Sequence, residues 1–162
     1  MKKVDFISQK IFSFPEAKQR VLQWRVLGKK ISFTNGVFDI LHAGHIFSLS
    51  QAAKEADYLV VGLNSDASAR RLKGESRPVN SQDSRAAVLA SLLVVDAVVL
   101  FEEDTPLELI KGLMPDILVK GGDYTVDQVV GAKEVIANGG RVVINPVMEG
   151  YSTTNLINQI RK

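Results

Sequence analysis

Five short runs of Val, Ile and Leu, each followed by a polar or glycine-rich turn, constrain this chain more than any other feature. They lie in "KKISFTNG", "DYLVVGLNSD", "DAVVLF", "DILVK" and "RVVIN". Helical patterns separate them. Ile46, Leu49 and Ala53 recur at helical spacing, and "SQDSRAAVLASLL" reads as a helix. "TPLELIKGL" opens with Thr105 as N-cap, Pro106 at the first helical position and Glu108 where a capping box wants it. "QVVGAKEVIANGG" is a helix ended by Gly139 and Gly140, and "TTNLINQIRK" a final one. Strands alternating with helices predict a parallel sheet, and their unbroken apolar character predicts burial of both faces. Right-handed crossovers then give an α/β, Rossmann-like, doubly wound sheet of five strands. Residues 1–28 read as an N-terminal helical extension interrupted by Phe14 and Pro15. Its apolar face would be Val21, Leu22, Trp24 and Leu27, and Gly28 would end it. Residues 29–162 form the single domain.

In such a sheet ligands bind beyond the carboxyl ends of the strands, where the strand order reverses. The unusual residues fall there. "TNGVFDILHAGH" follows the first strand, "NSD" and the basic loop "ARRLKGESRP" the second, "EEDT" the third, "KGGDY" the fourth and "NPVMEGYSTT" the fifth. These loops suit phosphate, because helix N-termini carry free N–H groups and a positive dipole end. Gly44 would let an anion approach the backbone closely. Ser152, Thr153 and Thr154 would add hydroxyl donors, and Lys73, Arg77 and Lys120 charge. His42 and His45 are the only histidines. Taken alone they suit an ordinary helix start, and as metal ligands they would need carboxylates to complete the set. The conjunction on one rim favours an anion site. Neither G-x-x-x-x-G-K-[ST] nor G-x-G-x-x-G occurs, which argues against a P-loop kinase or a common nicotinamide enzyme.

Composition narrows the class. A chain of 162 residues with 46% hydrophobic residues can bury a real core, and a formal charge of +2 without a basic block predicts no nucleic-acid partner. No apolar run approaches the roughly 20 residues that cross a bilayer, so no membrane partner is expected. The mixed "MKKVDFISQKIF" does not read as a signal peptide. The absence of cysteine excludes disulfides and thiolate sites and fits the cytoplasm.

"GVFDILHAGH", with His42-Ala43-Gly44-His45 after a first strand, resembles the H-x-G-H signature of the nucleotidyltransferase superfamily. "EGYSTTNLI" resembles its second signature, a Ser/Thr-rich helix start. Over residues 29–162, "FTNGVFDILHAGH", "LNSD", "LKGESRPV", "FEEDTPLELI", "PDILVKGGDY" and "GYSTTNLI" are similar in order and spacing to the ADP-heptose-forming adenylyltransferases, the second domain of the RfaE or HldE type. Val37 stands where many of these carry cysteine.

The resemblance implies transfer of AMP from ATP to D-glycero-β-D-manno-heptose 1-phosphate for lipopolysaccharide core synthesis. It also implies a homodimer acting after a separate heptose kinase. It implies catalytic roles for His42, His45 and Lys73. Nucleotide and phosphate binding falls to Thr34, Asn35, Gly36, Phe38, Asp39, Gly44, Arg77, Lys120, Gly122, Asp123, Ser152, Thr153 and Thr154. Asn64, Asp66 and Arg85 would bind the sugar phosphate. Mg²⁺ is expected mainly on the phosphates, with Asp39 reaching it through water. A glycerol 3-phosphate cytidylyltransferase and a non-catalytic nucleotide sensor are the alternatives.

Overall fold

A computed structural model of the protein describes residues 4–146 together with Tyr151, Thr153 and Ile157. The remainder of the expected final helix, with Ser152 and Thr154, lies outside the described residues. The strands are β1 (Ile11–Phe12), β2 (Ile31–Gly36), β3 (Tyr58–Asn64), β4 (Ala97–Phe101), β5 (Ile117–Gly121) and β6 (Arg141–Asn145). They form one parallel sheet in the order β1-β4-β3-β2-β5-β6. The helices are α1 (Phe14–Val26), α2 (Ala43–Ala53), α3 (Asp66–Lys73), α4 (Gln82–Ser91), α5 (Leu107–Leu113) and α6 (Ala132–Ala137).

The period of two along each strand divides the core. Leu59, Val61 and Leu63 of β3 face one side with Val98, Ile117 and Val119, where Leu49 and Ala52 of α2 and Ala86, Leu89 and Ala90 of α4 cover them. Val60 faces the other side with Ile31, Phe33, Val99 and Leu118, under Ala17 and Val21 of α1, Leu109, Ile110 and Leu113 of α5, and Ala132 and Val135 of α6. Each fully buried Val, Leu, Ile or Phe among them contributes roughly 1.5–3 kcal/mol. Within strands buried on both faces a polar side chain needs a partner, as Ser32 Oγ has in donating to Tyr58 O at 3.3 Å, and charged groups gather at the strand ends. At the amino ends the groups are aspartates. Asp116 Oδ2 accepts the Ile31 N–H at 2.9 Å, Asp57 Oδ2 that of Lys30 at 2.9 Å, and Asp96 Oδ2 that of Leu59 at 2.8 Å.

The sheet has six strands rather than the expected five, because the N-terminal extension is not wholly helical. Ile11 and Phe12 pair with Val98 and Val99 of β4, and Lys10 Nζ donates to the carbonyls of Leu92 (3.2 Å) and Val95 (2.7 Å). Pro15 starts α1 instead of interrupting it, since the first turn has no use for its missing N–H. Glu16 Oε2 accepts the Ser13 N–H at 2.8 Å in a capping box. The apolar face of α1 is Ala17, Val21 and Trp24, spaced by four and three. Trp24 stacks on Tyr58 with ring centroids 4.2 Å apart, and Leu22 and Leu27 are exposed.

Two further expectations change. The capping box at Thr105 is not formed, for α5 begins at Leu107 with Pro106 in the cap position. The basic "loop" after β3 contains α3, capped by Ser65 Oγ accepting the Ser68 N–H at 3.2 Å, which puts Arg70, Arg71 and Lys73 in its last turn. Most of this helix is polar, so no apolar periodicity announced it.

Gly62 lies mid-strand in β3, and a Cβ there would come within 2.7 Å of Phe33 Cζ. Gly62→Ala should therefore destabilise the fold by about 1–3 kcal/mol through overpacking, although alanine suits a strand interior better than glycine. Urea denaturation would show this, and Phe33→Leu in the Gly62→Ala background should recover part of the loss.

Candidate active site

The β2–β5 pairing covers only Ser32↔Ile117 and Phe33↔Leu118, while β2 runs on to Gly36 and β5 to Gly121. The chain changes direction across the sheet between these strands, so their diverging carboxyl ends open a cleft at the topological switch point. The cleft has two compartments sharing a wall of Asn35, Gly36, Val37 and Lys120. The smaller, about 190 Å³, is lined also by Thr34, Phe38, His45, Ser48 and Gly121. The larger, about 350 Å³, has Asn64, Lys73, Thr105, Tyr124 and Gln128 among its lining residues.

The histidines stand at the start of α2, which follows β2. His42 is the extended N-cap residue and His45 lies in the first turn. Their rings stack with centroids 3.9 Å apart, and Phe38 meets His45 edge-on at 5.5 Å. His45 Nδ1 accepts the His42 backbone N–H at 3.4 Å. That bond selects the neutral tautomer with its proton on Nε2. Burial, aided by the His42 charge, depresses the His45 pKa to about 4, and burial also lowers that of His42. His42 Nδ1 is buried with no hydrogen-bond partner among the described residues. Gly44 lets the His42 and Tyr151 side chains pack directly against the start of α2. A Cβ on it would lie 2.9 Å from Tyr151 Cβ and 3.1 Å from His42 Nδ1. Thr153 Oγ1 donates to Ile40 O at 3.4 Å, so Thr153 adjoins the loop that leads into α2.

Two lysines mark the larger compartment. Burial lowers the Lys120 pKa, and the neighbouring Lys73 charge lowers it further. Lys120 Nζ lies 5.4 Å from the Tyr124 ring centroid.

Several expected ligand contacts are instead protein contacts. The Asp39 side chain is fully buried. Its Oδ1 accepts the N–H groups of Val79 (2.8 Å) and Asn80 (2.9 Å), and its Oδ2 accepts Arg77 Nε (2.5 Å). Burial alone would raise this carboxyl, but the Asn80 and Val79 N–H groups and Arg77 outweigh it and hold the pKa below its ordinary value. A carboxylate so enclosed cannot meet Mg²⁺ through water, which corrects the expectation for Asp39. Arg77 is likewise tied by its Nε rather than extended over the cleft. Arg85 is 2% exposed and donates to Val37 O, Asn64 O, Asn80 O and Asp66 Oδ1. Neither Arg85 nor Asp66 lines either compartment: Arg85 is enclosed by these bonds, and the partly exposed Asp66 borders a separate pocket with Arg70, Ser81 and Gln82. Gly122 and the exposed Asp123 also line neither. Among the described residues no cluster of three or more His, Cys, Asp or Glu could hold a metal ion. No helix among them is long and apolar enough to cross a membrane.

The sequence reading missed Ser48, Thr105, Gln128 and Asn80. Ser48 follows His45 by three residues on the same helical face, a legible signal. Asn80 gave none, because its role is to join Asp39 to Arg85.

A family model described as cytidylyltransferase-like matches residues 33–159. The chain belongs to this family. It is 58% identical over 151 residues to the bifunctional protein HldE of Mesorhizobium japonicum, covering 93% of this chain and 30% of that one. The HldE of Caulobacter vibrioides is 58% identical over 143 residues, covering 88% and 30%. The chain thus spans less than a third of the length of these curated relatives. Among solved structures, a lipopolysaccharide core biosynthesis protein of Thermoplasma volcanium is 33% identical at a TM-score of 0.62, with 77% of this chain and all of that one covered. A pantoate–β-alanine ligase of Francisella tularensis has a TM-score of 0.64 at 16% identity, covering 91% and 72%, and shares the fold. The cytidylyltransferase-like fold is thus the one whose switch point carries the histidine cleft.

A depressed histidine pKa makes folding pH-dependent. Between the unfolded value near 6.5 and the folded value of about 4, the unfolded chain binds the extra proton. The contribution of neutral His45 is therefore full above pH 6.5 and lost as pH falls toward 4. Thermal denaturation should show a larger drop in Tm from pH 7 to pH 5 for the wild type than for His45→Gln.

Proposed function

We propose that the chain is a nucleotidyltransferase that moves AMP from ATP to D-glycero-β-D-manno-heptose 1-phosphate, releasing pyrophosphate. The observation that carries this reading is the pairing of neutral imidazoles on one side of the β2 carboxyl end with two close lysines on the other. The order of motifs shared with the ADP-heptose-forming adenylyltransferases, together with 58% identity to HldE proteins, supports the choice of base and sugar. The nucleotide belongs in the smaller compartment, with its triphosphate toward the start of α2. The sugar phosphate belongs in the larger one, its anion between Lys73 and Lys120 and its hydroxyls near Asn64, Thr105 and Gln128.

A phosphate monoester is already a nucleophile at neutral pH, so the chemistry needs no base. Its oxygen attacks the α-phosphorus in line, the bond from that phosphorus to the bridging oxygen breaks, and pyrophosphate leaves with the electron pair. The obstacles are repulsion between anions and charge gathering on the phosphoryl oxygens, which fixed donors offset. His45 suits this task because its Nδ1 accepts a backbone N–H, which commits Nε2–H as a donor without protonating the ring. His42 stacks behind it and keeps that ring in place. Lys73 and Lys120 offset the incoming charge. Mg²⁺ would accompany the triphosphate in this reading and offset part of its charge. The reading extends to a cytoplasmic homodimer fed by a heptose kinase.

Pyrophosphate release measured for ATP or CTP against heptose 1-phosphate or glycerol 3-phosphate tests the assignment. Release is expected with ATP and heptose 1-phosphate, and release confined to CTP with glycerol 3-phosphate would overturn it. Under the productive pair, His45→Ala should lower kcat by about 10²–10³ with the fold intact, the usual cost of one preorganised donor. Lys73→Ala should depress kcat more than it raises the KM for the sugar phosphate, and an unchanged kcat would remove Lys73 from the reaction.

A further inference from the structure

We infer that Arg85 is a positioning residue, a buried guanidinium that fixes the wall shared by the two compartments and, through Val37 and Phe38, sets the orientation of His45. Its donors reach three separate segments. Nη1 donates to Val37 O at 2.6 Å, just beyond β2, and to Asn64 O at 2.9 Å, at the end of β3. Nε donates to Asn80 O at 3.0 Å, and Nη2 to Asp66 Oδ1 at 2.7 Å at the start of α3. Val37 and Asn64 both line the larger compartment, and Val37 also lines the smaller.

The grip on Val37–Asp39 comes from two sides. Arg85 holds the Val37 carbonyl directly. It also holds Asn80, whose backbone N–H donates to Asp39 Oδ1 at 2.9 Å and whose Nδ2 donates to Asp39 O at 2.7 Å. Between these fixed points Phe38 has φ 46°, a left-handed conformation that a bulky residue keeps only when its surroundings impose it. In that conformation its ring meets His45 edge-on. Arg85 lines neither compartment, so its effect on the reaction must pass through these backbone segments. A buried charge costs stability unless it is fully bonded, and the planar fork can satisfy carbonyls lying in different directions. Lysine keeps the charge but has no such fork.

The first test uses the fact that the chain has only two histidines, so each imidazole can be followed separately by ¹H–¹⁵N NMR. Arg85→Lys should shift the His45 ring signals and move its pKa from about 4 toward the ordinary value, with a smaller change at His42. Phe38→Leu, which leaves every Arg85 hydrogen bond in place, should move His45 in the same way. It serves as the second variant should Arg85→Lys fail to fold. An unchanged His45 spectrum in folded Arg85→Lys, or in Phe38→Leu, overturns the inference.

The second test is kinetic and rests on the proposed reaction. Arg85→Lys should lower kcat up to about a hundredfold, as misplacement of a reacting group does, with KM for ATP changed less than about threefold. In a His45→Ala background the same change should cost less than about threefold further, because both act through one imidazole. Multiplying effects in that cycle would overturn the inference. A wild-type protein that releases no pyrophosphate would refute the proposed function, while the imidazole spectra would still judge Arg85.

Discussion

Burial of β2 and β3 on both faces is the constraint from which the rest follows. A strand that gives Phe33 to one layer and pairs on both edges with other strands has no solvated side. Its backbone is satisfied by neighbouring strands and its side chains by two layers of helices. Polar chemistry is confined to where the pairing stops. Because β2 outlasts its pairing with β5, the stopping point is a cleft rather than a flat rim. The histidines need no special scaffold beyond that: the helix that follows β2 begins beside the gap.

Much of this was legible in the sequence for a simple reason. Alternation of apolar runs with helical spacing is a local signal, and so is H-x-G-H after a strand. Thr34, Asn35, Gly36, Phe38, His45, Asn64, Lys73 and Lys120 all line the cleft. What was not legible depends on partners distant in the chain. Asp39, Arg77 and Arg85 look like site charges because they are polar and near motifs. Apart from Asn80, five residues before Arg85, their partners lie 19 to 48 residues away, and those partners turn them inward. The two-residue β1 is invisible for the same reason, since Ile11 and Phe12 become a strand only by meeting β4. Gly44 was read as room for a ligand. That His42 and Tyr151 also pack against it is revealed only by the three-dimensional arrangement.

The charged groups thus fall into two kinds. Arg85, Asp66, Asp39 and Arg77 are bonded to one another or to backbone and define where the loops stand. Lys73 and Lys120 line open space and remain available to a ligand. A buried network of the first kind is expensive to assemble and stiff once complete. Rigidity suits a wall, whereas the second kind must exchange one partner for another in every turnover.

The depressed pKa values of His45 and Lys120 have a consequence for energetics beyond the reaction. Both groups are held back from their charged forms by burial and by a like-charged neighbour. A polyanion settling between them opposes both effects and raises the proton affinity of each group in the complex. Affinity for such a ligand then carries a pH dependence of its own, separate from that of the chemical step. Ligand charge and protons are in this sense linked partners of the same cleft.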